Sequence, residues 1–162
     1  MSPHKALQEA KSCGLDVNPT TGEILLESDA RDLQAIQSTK IKALKLLTPS
    51  DFCLINGIWE AKRDGLIKIL SSLPISYEWQ IKEKELNEHY AQVLGVLSIT
   101  TGNITRSADA MGICELTELR GNGGMHFMNT RAETRALKRA IEVLFGSVIN
   151  WYVINHLQQR AA

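Results

Sequence analysis

The stretch "NTRAETRALKRAIEVLFG", residues 129–146, carries the residues best suited to chemistry in this 162-residue chain. Placed on a helix at about 100° per residue, Arg131, Arg135, Lys138 and Arg139 share a stripe about 100° wide. Leu137, Ala140, Ile141 and Leu144 centre on the opposite side, and Ala132, Ala136 and Ala140 let that side come close to a sheet. Two readings fit the stripe. It is the solvated outer face of a core helix, or it is a face that tracks phosphates. Arginine suits the second role because its planar fork donates to two phosphate oxygens at once. Glu142 lies inside the stripe, four residues after Lys138 and three after Arg139, and can pair with either. Such a pair is worth only about 0.3–0.5 kcal/mol.

Other chemistry is poorly supported. "RGNGGMH", residues 120–126, is glycine-rich but lacks the P-loop Lys-Ser/Thr and the dinucleotide-binding spacing, so it reads as a flexible connection. His126 reads as a surface or cap residue. Glu115, Glu118 and Glu133 are carboxylates of the kind a Mg²⁺-dependent nuclease uses, but no Asp/Glu-x-Lys arrangement accompanies them. Glu133 falls on the apolar side of the helix and needs a partner, for which Arg106, Arg120 or an arginine of an adjacent subunit is available. The histidines (His4, His89, His126, His156) and cysteines (Cys13, Cys53, Cys114) form no metal-ligand spacing. No catalytic residue, metal or cofactor is therefore expected.

These residues need elements to hold them. A short helical pattern covers residues 3–13, and Ile24–Leu26 suits a short strand. Residues 29–47 turn helical, with Pro49 as the stop, and Lys40, Lys42 and Lys45 fall there with no acid among them. We read these lysines as a solvated side. "FCLI" and "IWEA" flank Asn56-Gly57, the signature of a two-residue type I′ hairpin. "KRDGLIKILSSLP" reads as a short helix closed by Pro74. The period then changes to two. "ISYEWQIKEKEL", "HYAQVLGVLSIT" and "ITRSADAMGICEL" read as three consecutive strands, with a turn at Thr101-Gly102-Asn103. A long helix is expected from about Asn129 to Leu144, with Gly146 as its C-cap, followed by a separate apolar helix over "SVINWYVINHL". The whole describes an α+β fold, a three-stranded antiparallel sheet packed by a long helix, with a small hairpin and N-terminal helices. We divide it into an N-terminal helical segment, 1–47, and a core domain, 48–162.

Composition sets limits. Hydrophobic residues make up 44% and charged residues 22%, ordinary for a globular chain with a proper core. There is no run of 18 apolar residues and no secretory signal at the N-terminus, so neither a membrane role nor export is expected. An odd number of scattered cysteines suits free thiols in a reducing, cytoplasmic setting. Eighteen basic and eighteen acidic residues cancel, which excludes a uniformly basic nucleic-acid binder but not a local basic stripe.

Two stretches carry a resemblance. "TRAETRALKRAI" resembles the "A-x-T-R-A-x-x-R-A-(L/I)" helix of the single-strand DNA annealing proteins, the family of the eukaryotic Rad fifty-two annealing core and the phage Sak, Erf and Redβ recombinases. "TPSDFCLINGIWEAKRDGLIKILSSLPISYEW" is similar to that family's hairpin, short helix and first long strand. The likeness runs from about Thr48 to Gly146, and the first 47 residues lie outside it.

The resemblance implies a β-β-β-α core that assembles side by side into rings or filaments, binds single-stranded DNA along a basic groove and presents bases for pairing, without nucleotide hydrolysis. It carries backbone contact onto Lys138 and Arg139 and onto a basic residue opening the short helix, Lys62 or Arg63. With Arg135 and Arg131 from the stripe, the expected DNA-binding set is Lys62, Arg63, Arg131, Arg135, Lys138 and Arg139. The implied setting is recombination or repair in a nucleoid or a phage-infected cell, with a single-strand-binding protein or an exonuclease as a further partner. Glu142 departs from the eukaryotic pattern, which has another arginine there, and makes the implied groove less basic. Trp59, Tyr77, Trp79, Tyr90 and Phe127 are candidates for base stacking, set against packing in the core. The rival reading is an oligomeric structural or regulatory protein that keeps the fold without DNA contact.

Overall fold

The computed structural model describes residues 16–17, 24–25, 29–121 and 123–160. The helical pattern expected over residues 3–13 and the turn residues 18–22 lie outside the described residues. The chain forms two compact units, Met1–Ser38 and Thr39–Ala162. In the first, β1 (Asp16–Val17) pairs antiparallel with β2 (Ile24–Leu25). Helix α1 (Asp29–Leu46) runs through the division between the units.

The second unit is α+β. Its elements follow in the order β3 (Phe52–Ile55), β4 (Ile58–Ala61), α2 (Arg63–Ser72), β5 (Ser76–Leu86), β6 (Tyr90–Thr101), β7 (Ile104–Glu115) and α3 (Met125–Tyr152). β3 and β4 form a hairpin whose Asn56 and Gly57 take φ of 50° and 79°, the left-handed pair that a type I′ turn demands. β5, β6 and β7 form one antiparallel sheet with β6 in the centre. The β6–β7 connection is the two residues Gly102-Asn103, with Gly102 at φ 62°.

Alternation builds the sheet. Along β6, Ala91, Val93, Gly95, Leu97 and Ile99 are buried, while the residues that alternate with them are half-exposed. On β7 the buried row is Ala108, Ala110, Gly112 and Cys114. Helix α3 lies on this inner face, over β6 and β7 far more than over β5. Its contact residues Ala132, Ala136 and Ala140 are fully buried. Small residues on both layers bring the two backbones together.

The core has two parts. Beneath the C-terminal half of α3, Ile141, Leu144, Phe145 and Val148 pack with Leu66, Ile69 and Leu70 of α2, with Phe52 and Ala61 of the hairpin, and with Leu97 and Ile99. The rings of Phe52 and Tyr152 stack at 5.1 Å with an interplanar angle of 4°. Burying a side chain such as Phe145 or Leu66 contributes about 1.5–3 kcal/mol. Beneath the N-terminal half, a smaller cluster joins Met128, Ala132 and Ala136 to Ala91, Val93 and Cys114. The hairpin and α2 do not belong to that second cluster. Ile81 and Leu86 of β5, whose register places them on the inner face, are accordingly 43% and 40% exposed.

Two expectations are corrected. The long helix begins at Met125 and runs 28 residues to Tyr152, so Gly146 is an interior residue and "SVINWY" continues the same helix. No proline interrupts it, and Val148, Ile149 and Tyr152 bury apolar surface that sustains it past the glycine. A π-helical turn at Val153–Leu157 then follows.

Candidate nucleic-acid interface

The six expected contact residues divide between two elements. Lys62 is the N-cap of α2 and Arg63 its first residue; the other four lie on α3. A short turn positions α2. Asp51 accepts from the Thr48 N–H at 2.7 Å and from Lys68 Nζ at 2.5 Å. Gly65 lets α2 approach, since a Cβ there would stand 2.6 Å from Asp51 Cβ. Burial raises the Asp51 pKa, but the bonds from Lys68 and Thr48 outweigh it and hold the carboxyl below its ordinary value. Lys62 Nζ donates to the Ser50 carbonyl at 2.9 Å, and the exposed Arg63 lies 4.0 Å from Asp64.

On α3 the arginines form a row one turn apart, a rise of about 6 Å each. They flank the outer edge of β7, an edge strand whose outward carbonyls have no strand partner. Arg139 Nη1 donates to the Met111 carbonyl at 2.6 Å, and Arg135 Nη1 to the Ile113 carbonyl at 2.5 Å. Arg131 Nη1 donates to the Glu118 carbonyl at 3.3 Å. Arg135 and Arg139 thus supply donors to the free strand edge and Arg131 to the turn that follows it, which fixes the guanidinium groups in place. Arg131 and Arg139 each spend one donor this way, out of the five a guanidinium carries.

Arg135 is more fully engaged. Its Nη1 and Nη2 also donate to Glu118 Oε1 and Oε2 at 3.0 and 2.5 Å. That pairing, with the Glu115 N–H as a second donor, pulls the Glu118 pKa down to about 2. The same bond raises the Arg135 pKa against the opposing effect of burial.

Lys138 faces the other flank. Its Nζ lies 3.5 Å from Glu60 of β4 and 3.6 Å from Glu142, and its side chain is 26% exposed. The Glu60 contact ties the hairpin to α3 close to where Lys62 and Arg63 begin α2. Burial pushes the Glu142 pKa up, partly opposed by Lys138. The outer side of α3 is therefore bounded by the β7 edge with the arginine row and by the hairpin with Lys138. A shallow cleft lined by Asp109, Met111, Arg139, Glu142 and Val143 opens along the first flank.

The open face of the sheet has the opposite character. Alternation and register place Glu78, Glu83, Glu85, Asp109 and Glu115 there, around Leu94, Val96, Met111 and Ile113. Acids thus gather on the open sheet face, while beside α3 the cations Arg131, Arg135, Lys138 and Arg139 are interleaved with Glu60, Glu118 and Glu142.

Of the stacking candidates, Trp79 lies across Gly95 in the core, Trp59 and Tyr90 are half-buried, and Tyr77 and Phe127 are more than half exposed. Tyr90 donates its hydroxyl to Glu85. Lys42 and Lys45 are exposed, and Lys40 lines a cleft with Trp151. Neither Arg106 nor Arg120 pairs with the half-buried Glu133. Among the described residues no cluster of carboxylates, histidines and cysteines could hold a metal, and no helix is long and apolar enough to cross a membrane.

Reading the sequence alone missed Glu60 and Glu118. Both contacts span long sequence separations, and nothing at either residue signals its partner. The Lys138–Glu142 pair was legible, because four residues is one helical turn. No known family model matches the chain, and no curated protein is similar enough to count as a relative.

Proposed function

We propose that the chain binds single-stranded DNA and anneals complementary strands, in recombination or repair, as a ring or filament of copies set side by side. It makes and breaks no covalent bond in this role and uses no nucleotide or metal. Its main support is the cation row of α3, which is held in place by the β7 edge and the turn after it while Arg131 and Arg139 keep donors free for phosphate. The resemblance in the order hairpin, short helix, three strands and long helix supports it too. Phosphate contact of this kind gives affinity without sequence preference and leaves base edges open for pairing. Lys62 and Arg63 form the second flank of the same groove. Cations grouped along α3 let a neutral protomer offer a basic path when copies align. The bare inner face of β5, with Ile81 and Leu86, is surface for a neighbouring copy. The setting that fits is the cytoplasm or nucleoid, with a single-strand-binding protein or exonuclease as an additional partner.

One observation favours a second reading, an oligomeric interaction protein without DNA contact. Lys138 is bracketed by two carboxylates and Arg135 is occupied by a third. The deciding experiment is fluorescence anisotropy of labelled oligo-dT at low and moderate salt, beside a duplex of equal length. Strand-selective binding should weaken steeply with salt. Lys138→Ala with Arg139→Ala should lower affinity at every sequence and leave the circular dichroism unchanged. A folded double variant that binds and anneals normally would remove these residues from the interface. Absence of strand binding by a well-formed oligomer would favour the second reading.

A further inference from the structure

We infer that Glu118 is an internal stand-in for a strand phosphate, seated in the Arg135 fork of the free chain and exchanged for an anion on binding. This rests on the reading of α3 as the DNA-facing helix, and adds to it a competitor for the site.

Three features of the contact carry the inference. First, the geometry is bidentate. Both terminal nitrogens of Arg135 donate to the two carboxylate oxygens, the same fork by which a guanidinium grips a phosphate. Second, the fork does not need the carboxylate to stay in position. Arg135 Nη1 is independently anchored on the Ile113 carbonyl, so the guanidinium remains aimed when Glu118 departs. Third, Glu118 sits in the middle of the row, on the fork flanked one turn either way by Arg131 and Arg139. An anion following the row meets Glu118 in its path.

Beyond Arg135, one bond holds the Glu118 carboxylate, from the Glu115 N–H to Oε1 at 3.0 Å, and the exchange breaks it too. Glu118 belongs to a single 3-10 turn, Leu116–Leu119, held to the core by the buried Leu119. Arg120 follows in the left-handed region at φ 48°, and Gly121 and Gly123 take φ of 78° and 122°. A left-handed conformation is unfavourable for a non-glycine residue, so the turn is held against a small opposing strain. With both partners more than a third exposed, the ion pair is worth at most about 1 kcal/mol. A phosphate, with its fuller charge and three acceptor oxygens, displaces such a partner readily.

The test compares wild type, Glu118→Gln and the double variant Glu118→Gln/Arg135→Gln. Glutamine keeps the size of the side chain and its acceptor for the Glu115 N–H, so the turn is retained. Two readouts are used: anisotropy of oligo-dT, and NMR of the arginine side-chain nitrogens during titration with tripolyphosphate. Glu118→Gln should bind both probes about two- to fivefold more tightly, the change equivalent to an exposed ion pair of up to about 1 kcal/mol. The Arg135 resonance should move at lower tripolyphosphate concentration, and the double variant should lose the gain. Equal affinity in wild type and folded Glu118→Gln would overturn the inference. So would a gain that survives loss of Arg135, because the double variant has the net charge of wild type and the gain would then not run through the fork. The probes separate the two proposals. A tripolyphosphate gain without any oligo-dT binding would keep the exchange and reject annealing. Oligo-dT binding unchanged by Glu118→Gln would keep annealing and reject the exchange.

Discussion

Gly112 of β7 stands against the backbone of α3, where a Cβ would lie 1.9 Å from the Ala132 carbonyl oxygen and 2.5 Å from the Ala136 nitrogen. The obstacle is main chain in the middle of a helix, so it cannot rotate aside. Gly112→Ala must push α3 off the sheet or distort β7. Overpacking typically costs about 1–3 kcal/mol, and a backbone clash belongs at or above the upper end. We expect Gly112→Ala to lose at least about 3 kcal/mol in urea unfolding. A loss below about 1 kcal/mol would mean that the two layers are not packed this closely.

Gly146 predicts the opposite sign. It lies inside α3, and a Cβ there meets nothing within 4 Å. Alanine removes backbone freedom from the unfolded chain and improves helix propensity, worth about 0.4–1 kcal/mol. Gly146→Ala should raise the melting temperature by about 1–4 °C for a chain of this size. Destabilisation would show that the helix ends near residue 146, as a C-cap glycine would require.

Acid should weaken the β7–α3 junction. Arg135 holds the Glu118 pKa at about 2, below its ordinary 4.5. The folded state therefore binds the proton less readily than the unfolded state. The stabilisation is complete above pH 4.5 and disappears as the pH falls towards 2. Because the pair is partly exposed, screening limits it to on the order of 1 kcal/mol. Glu118→Gln should be less stable than wild type by about that amount at pH 7, with the gap closing by pH 2 in urea titrations. A gap that stays constant with pH would show that the carboxylate charge contributes nothing.

The bare inner face of β5 bears on assembly. Ile81 and Leu86 are exposed beside the N-terminal half of α3, where neither the hairpin nor α2 reaches. If a neighbouring copy covers them, each contributes up to about 1.5–3 kcal/mol to association. Ile81→Glu with Leu86→Glu should shift light scattering towards smaller species and leave the circular dichroism of the protomer intact. Unchanged oligomer mass would place the subunit contact elsewhere.

Much of the fold was legible because local rules governed it. Asn56-Gly57 specifies its own turn, the alternation of Ile75, Tyr77, Trp79 and Ile81 specifies β5, and the alanine row specifies the side of α3 that meets the sheet. The end of α3 was not, since Gly146 and the apolar run after it suit either a stop or a continuation. Packing of Val148, Ile149 and Tyr152 against the core decided for continuation. The cation stripe was likewise legible as a stripe, with Glu142 one turn from Lys138. What each cation faces was not. That Arg139 and Arg135 anchor on the carbonyls of Met111 and Ile113, that Glu118 fills the Arg135 fork, and that Glu60 reaches Lys138 all follow from elements brought together across the fold. Periodicity fixes which residues share a side of an element, because it is written in the bond geometry of the helix and the strand. Partners depend on how the layers pack, and only the tertiary structure decides that.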